Sequence, residues 1–208
     1  MIEFMKFLIN LDERKDRLEE SKVEIAKLGF TDVIRFPAIK TENGLFGCLL
    51  SHLYCLNFAY QQQKSAMIFE DDFKLINEYN EILPKALNEL EQKDWSLFYL
   101  GGNIYQGEVI QETDHLGRLT FCQSTHSICV NYKYIPQIIF TILGIYGMPL
   151  DLIYCNYIIP NLPCYITVPK MIAIQRDSYS DIEMQNVNYS SWMEKRYYAK
   201  LKLFDKNP

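Results

Sequence analysis

Apolar and polar positions along this chain fall into two alternating periods. Phe4 to Asn10 is an apolar, β-rich run, and the polar stretch Asp12-Glu13-Arg14-Lys15-Asp16-Arg17 that follows opens a helix whose apolar positions Leu18, Ile25 and Leu28 keep helical spacing. Gly29 supplies its stop. Val33-Ile34-Arg35-Phe36 predicts a second strand ended by Pro37, and the loop through Asn43-Gly44 leads into a helix over Phe46 to Gln62. Ala66 to Phe69 predicts a third strand, Ile82 to Gln92 a helix, and Trp95 to Leu100 a strand halted by Gly101-Gly102. Strands alternating with helices predict an α/β fold, a mainly parallel central sheet with helices on both faces.

Beyond Gly102 the pattern is less regular. Tyr105 to Cys122 predicts a hairpin around Asp114-His115-Leu116-Gly117, and Ser127 to Val130 a short strand. Tyr134 to Leu143 and Leu150 to Ile159 predict helices, and Tyr165 to Ile174 is extended, with Pro169 setting part of it at an edge. No internal repeat or low-complexity tract breaks the 208 residues, so the expectation is a single domain over 1–208. The amino end is charged too soon for a secretory signal, and the longest apolar stretch, Tyr134 to Ile145, falls short of a membrane span, so the chain is expected in the cytoplasm. A net charge of −5 argues against nucleic acid as partner. Six cysteines without a C-x-x-C pair are expected as reduced, mostly buried thiols.

Candidate chemistry concentrates where the third strand runs into Glu70-Asp71-Asp72. Adjacent carboxylates raise each other's proton affinity and call for a proton, a basic partner or a divalent cation. No basic residue adjoins them in sequence before Lys74. An acid pair at a strand end of an α/β sheet lies where such sheets hold ligands, and Mg²⁺ or Mn²⁺ between carboxylates and a diphosphate is a common use of that place. A solvated polar turn is the competing reading.

Four segments occur in order: Ile9-Asn10-Leu11 with Arg14, Asp16 and Arg17; Gly47-Cys48 with Ser51-His52; Ile68-Phe69-Glu70-Asp71-Asp72; and Gln175-Arg176-Asp177-Ser178-Tyr179-Ser180-Asp181-Ile182. Together they resemble glycosyltransferase family 25, which includes bacterial lipo-oligosaccharide galactosyltransferases and collagen galactosyltransferase domains. The resemblance implies the GT-A fold, a Rossmann-like α/β domain that binds a sugar nucleotide through a metal. It also implies that Glu70 and Asp72 hold Mn²⁺ or Mg²⁺ as a Lewis acid for the leaving diphosphate, with Asp72 the first choice as direct ligand and Asp71 turned to the sugar.

Other residues gain candidate roles from the same resemblance. Asn10, Arg14, Arg17 and His52 are expected to organise the donor site, although each arginine is equally a surface ion pair and His52 equally a structural residue of its helix. His126, within Ser124-Thr125-His126-Ser127, is expected at the diphosphate or metal. Pro149-Leu150-Asp151 resembles the family's Pro-x-Asp, which makes Asp151 the candidate base for the acceptor hydroxyl; a helix N-cap is its alternative. Gln175 and Asp181 lie on a late loop expected to close over the donor. The basic, aromatic tail from Met193 to Phe204 is read as a solvated terminal helix, with peripheral contact to an anionic membrane as the alternative.

The resulting expectation is a metal-dependent, inverting transferase moving a hexose, galactose or glucose, from a UDP-sugar to a hydroxyl of a glycan or glycolipid. Two other classes compete. A non-catalytic GT-A-like glycan-binding or scaffolding module is disfavoured by the intact acids, and a nucleotidyltransferase by the lack of a Gly-rich basic loop. The chain is shorter than many members of the family, which fits a minimal enzyme, a reduced acceptor region or a fragment of a larger protein.

Overall fold

The computed structural model describes residues 2–145, 147–180 and 185–204. Its first half alternates as expected: β1 (Phe4–Asn10), α1 (Lys15–Lys27), β2 (Val33–Pro37), α2 (Gly44–Gln61), β3 (Ser65–Glu70), β4 (Phe73–Leu75), α3 (Tyr79–Leu90) and β5 (Leu97–Tyr99). The second half holds β6 (Val109–Gln111), β7 (Leu116–Leu119), β8 (Ser127–Val130), α4 (Ile135–Gly144), α5 (Leu150–Ile153), β9 (Cys164–Thr167), β10 (Ala173–Gln175), β11 (Ser178–Ser180), β12 (Gln185–Val187), α6 (Ser190–Lys200) and β13 (Leu201–Lys202).

Local chemistry sets several of these boundaries. The carbonyl of the Asn43 side chain accepts the Leu45 N–H at 3.0 Å and caps α2. Gly29, at φ +69°, turns the chain out of α1 into a conformation that side chains with a Cβ rarely adopt.

Among the described residues, nine strands form one sheet in the order β13-β6-β7-β9-β5-β8-β3-β1-β2. Strand alternation divides its side chains between two cores. Phe7 and Ile9 of β1, Ala66 and Ile68 of β3, and Leu97 and Tyr99 of β5 join α2, α4 and α5 on one face. Leu8, Met67, Phe69 and Phe98 point the other way, onto Ile25 of α1 and Ile82, Leu83, Ala86 and Leu90 of α3. Because both faces are covered, β3 and β5 read as continuous apolar runs rather than alternating ones. The α/β class is therefore as expected.

The parallel arrangement holds through β2-β1-β3 and again between β5 and β9. β8 enters antiparallel between β3 and β5, and the β6–β7 hairpin extends the sheet antiparallel to β9, so the sheet as a whole is mixed. β10 leaves this sheet to pair with β4.

Two local expectations are corrected. The helix expected from Leu150 to Ile159 is α for only four residues and continues as a π-helical turn over Tyr154–Ile158, where the Ile159 N–H donates to the Tyr154 carbonyl at 2.9 Å. The terminal helix expected to be solvated is instead docked. Met193 and Tyr197 of α6 are fully buried, and the Tyr197 hydroxyl donates to the Thr167 carbonyl at 2.7 Å. Arg196 lies over the Trp192 ring at 4.2 Å and donates to Asn103, while Tyr198, Leu203 and Phe204 stay exposed. Among the described residues no helix is long and apolar enough to cross a membrane.

Candidate active site

The site is built where β1 and β3 end side by side. Ile9 is in register with Glu70, so Asn10 at the end of β1 lies beside the turn that carries Asp71 and Asp72. The carboxyl ends of neighbouring parallel strands open a crevice there. Each acid of the triple meets a different set of partners.

Asp71 is the anchor. One carboxylate oxygen accepts from Arg17 Nη1 at 3.0 Å and the other from Asn10 Nδ2 at 2.7 Å. Its backbone carbonyl accepts from Ser21 Oγ at 2.9 Å. Arg35 in turn donates to Asn10 Oδ1 at 3.2 Å. Burial nevertheless pushes the Asp71 carboxyl above its ordinary value, against the pull of Arg17. The cation that is missing from the local sequence thus arrives from α1, and both Asp71 oxygens are engaged within the protein.

Glu70 faces the opposite side. Its Oε1 is 3.0 Å from His52 Nε2 and accepts from Thr125 Oγ1 at 2.5 Å. Burial raises its proton affinity, but the His52 and Thr125 hydrogen bonds outweigh that and hold the carboxyl below its usual range. His52 is fully buried and its Nδ1 has no hydrogen-bond partner. Ser51, the neighbour of His52, ties the helix to the preceding loop: its Oγ accepts from the Ile39 N–H and donates to the Gly47 carbonyl, each at 2.8 Å.

Asp72 has the least company. Gln175 Nε2 donates to its Oδ2 at 3.1 Å, while Oδ1 is buried without any hydrogen-bond partner. Burial and the charges of Glu70 and Asp71 push its carboxyl up to about 7. Pairing of β4 with β10 places Gln175 here, because Gln175 is in register with Phe73, and the Arg176 N–H donates to the Asp72 carbonyl at 2.6 Å. Gln175 also accepts from Ser124 Oγ at 3.3 Å, which joins β10 to the segment before β8.

His126 lies next to Glu70, across the β3–β8 pairing. Its backbone carbonyl accepts the Glu70 N–H at 2.9 Å, its ring is fully buried, and neither ring nitrogen has a hydrogen-bond partner. Burial pushes the imidazole down to about 4. Asp151, in the first turn of α5, accepts the Leu152 N–H at 2.9 Å. Burial raises its carboxyl, and the Glu70 charge adds to that, so the two acids face a common region.

Of the residues singled out from sequence, Asn10, Arg17, His52, Glu70, Asp71, Asp72, His126, Asp151 and Gln175 therefore gather at one end of the sheet. Arg14 turns aside to Asp16, at 2.9 Å, and contributes its backbone carbonyl to Asn10 Nδ2 at 3.0 Å. Asp181 lies outside the described residues. Thr125, Ser124, Ser21 and Arg35 belong to the network without having been singled out. Ser21 stands four residues beyond Arg17 and so on its helix face, and Thr125 precedes His126, so both were within reach of a spacing argument. Arg35 carries no such signal.

The donor set suits a hard divalent cation at Asp72. A buried carboxylate oxygen with no protein partner, in a group of acids carrying more negative charge than Arg17 neutralises, is an arrangement that such a cation satisfies.

The model of glycosyltransferase family 25 (LPS biosynthesis protein) matches residues 40–138. No curated protein matches the sequence. Among solved structures, mannose-1-phosphate geranyltransferase from Thermus thermophilus is similar with a TM-score of 0.40 and 10% identity, over 77% of this chain and 58% of that one. A nucleoside-diphosphate-sugar pyrophosphorylase from Vibrio cholerae is similar with a TM-score of 0.37 and 12% identity, over 77% of this chain and 70% of that one. The chain thus spans little more than half the length of the first of these. α2, the acidic turn and the segment around His126 all lie inside the matched stretch, so over residues 40–138 the chain is similar to glycosyltransferase family 25.

Proposed function

We propose that the protein is a metal-dependent, inverting glycosyltransferase that moves a hexose, galactose or glucose, from a UDP-sugar to a hydroxyl of a glycan or glycolipid. The observation that carries this reading is the unpartnered, buried Oδ1 of Asp72 among three acids at the carboxyl end of β3. Asp72, with Glu70 beside it, would hold Mn²⁺ or Mg²⁺, which when bound supplies Lewis-acid neutralisation of the diphosphate.

The chain's own residues supply the rest. His52 and Thr125 fix the Glu70 carboxylate, and Gln175 fixes Asp72, so the acidic edge is set before any donor arrives. Arg17 and Asn10 hold the turn itself through Asp71. Asp151 takes the proton of the acceptor hydroxyl as that oxygen attacks the anomeric carbon and the bond to the diphosphate breaks, releasing UDP. Its raised carboxyl is better matched to proton transfer near neutral pH than an ordinary aspartate. His126, buried beside Glu70 just before the neighbouring strand β8, packs against the inner side of the site.

The family description points the acceptor toward lipopolysaccharide assembly, and a cytoplasmic protein working at a membrane surface on a lipid-linked acceptor fits that role. Transfer is tested by following UDP release and sugar incorporation with Mn²⁺ present and with the metal chelated. Asp151→Asn should lower kcat by roughly 10²- to 10⁴-fold and remove the acid limb of the pH–rate profile. Full activity in Asp151→Asn would end its assignment as base, and no transfer from any UDP-sugar would favour a non-catalytic glycan-binding module.

A further inference from the structure

Beside the all-oxygen edge at Asp72 lies a group of donors of another chemical kind. Cys48 and His52 are four residues apart on α2, so they share one helix face, and Glu70 closes the group from the end of β3. The Cys48 thiol, a ring nitrogen of His52 and a carboxylate oxygen of Glu70 all lie within 4.8 Å of one another. Ligands of a tetrahedral zinc ion stand about 3.3–3.8 Å apart, so binding would draw the three donor atoms together by at most about 1–1.5 Å.

A second observation comes from the imidazole. His52 is fully buried, yet its Nδ1 has no hydrogen-bond partner, and the buried Tyr154 hydroxyl, whose proton is held by burial and by the nearby Glu70 charge, has none either. Polar groups left unsatisfied in this way around a cysteine, a histidine and a glutamate are expected where a bound ion or its water completes them.

We propose that Cys48, His52 and Glu70 form a binding site for a soft divalent cation of the zinc class, with the fourth position left to water. The sulfur–nitrogen–oxygen set separates it from the magnesium or manganese chemistry suited to Asp72. On binding, the Cys48 thiol gives its proton to solvent as the sulfur–metal bond forms. The cation offsets the burial and the negative charge of Glu70, Asp72 and Asp151 that otherwise oppose the thiolate. The site stands on these three side chains alone. Its consequence, that zinc competes with the donor's cation for Glu70, rests on the transferase reading above.

The test is titration of the metal-free protein with Co²⁺, without nucleotide sugar, followed by absorption. A single saturating equivalent should give a thiolate-to-cobalt charge-transfer band in the near ultraviolet and intense visible bands of tetrahedral coordination, and Zn²⁺ should displace both. Cys48→Ser should lose the charge-transfer band while keeping its folded circular dichroism. Should that variant not fold, alkylation of Cys48 in the wild-type protein, with the site confirmed by peptide mapping, should be slowed by Zn²⁺. Absence of the charge-transfer band from the wild type, or its persistence in folded Cys48→Ser, would overturn the proposal. Either result leaves donor binding at Asp72 to be judged separately with Mn²⁺ and UDP-sugar.

Discussion

Burial acts in opposite directions on two residues of the cleft. The Asp72 carboxyl is pushed up from 3.8 to about 7, so the folded protein keeps a proton there that the unfolded chain has released. This group's contribution to the stability of the metal-free protein is therefore fully present at low pH and is lost as pH rises through 7. His126 is pushed down from 6.5 to about 4, so its contribution is present above 6.5 and is lost as pH falls toward 4. Urea unfolding across that range separates the two. Asp72→Asn should flatten the fall in stability as pH rises toward 7, and His126→Phe should reduce the fall as pH drops toward 4. An unchanged pH profile in either variant would remove the corresponding claim.

At the same scale, the Arg17–Asp71 pair is the buried ion pair that holds the acidic turn, at 3.0 Å with both side chains about one-tenth exposed. Arg17→Ala leaves the Asp71 carboxylate buried with Asn10 but without its counter-ion, and should cost about 3–5 kcal/mol in denaturant titration. Asp71→Asn added to that variant should recover part of the loss; a double variant no better than the single would contradict the pairing. The three acids were legible in sequence because such a run directly after a buried strand is chemically anomalous. Arg17 as their partner was not, because the pair spans 54 positions and nothing in the local pattern of α1 distinguishes an inward arginine from a solvated one.

Between elements, the approach of β10 to the end of β5 decides whether Gln175 can reach Asp72. Leu100 accepts from the Ile172 and Ala173 N–H groups at 2.8 and 3.2 Å, and a Cβ placed on Gly101 would fall 1.8 Å from the Ala173 carbonyl oxygen. Gly101→Ala should therefore force the two chains apart at a cost of about 1–3 kcal/mol and weaken metal-dependent donor binding together with stability. Wild-type donor affinity in a destabilised Gly101→Ala protein would show that the contact is structural only. The parallel half of the sheet was legible because apolar runs and helical spacing alternate cleanly up to Gly101-Gly102. The antiparallel entry of β8 was not, since residue periodicity carries no strand direction. The π-helical turn after α5 escaped for a similar reason: an apolar helical pattern looks the same whether its hydrogen bonds close over four residues or five. The docking of α6 depends on Met193 and Tyr197, whose spacing fits an amphipathic helix but does not say which surface receives it.

For the whole molecule, four regions far apart in sequence converge on one end of the sheet: Asn10 and Arg17, His52 with Glu70 to Asp72, the segment Ser124 to His126, and Gln175. Sequence order alone brought these segments into one family pattern, and the sheet order brings them into one place. The central claim is that this convergence is a donor site organised around Asp72. It is tested most directly by thermal unfolding of the wild-type and Asp72→Ala proteins with a panel of UDP-sugars, each with and without Mn²⁺, because a ligand that binds the native state raises its stability by about 2.7 kcal/mol at a hundred times its Kd. The expected result is a rise in Tm for one or a few UDP-sugars that requires Mn²⁺ and is lost in Asp72→Ala. A wild-type Tm that no nucleotide sugar moves, or an equal metal-dependent rise in the variant, would contradict it.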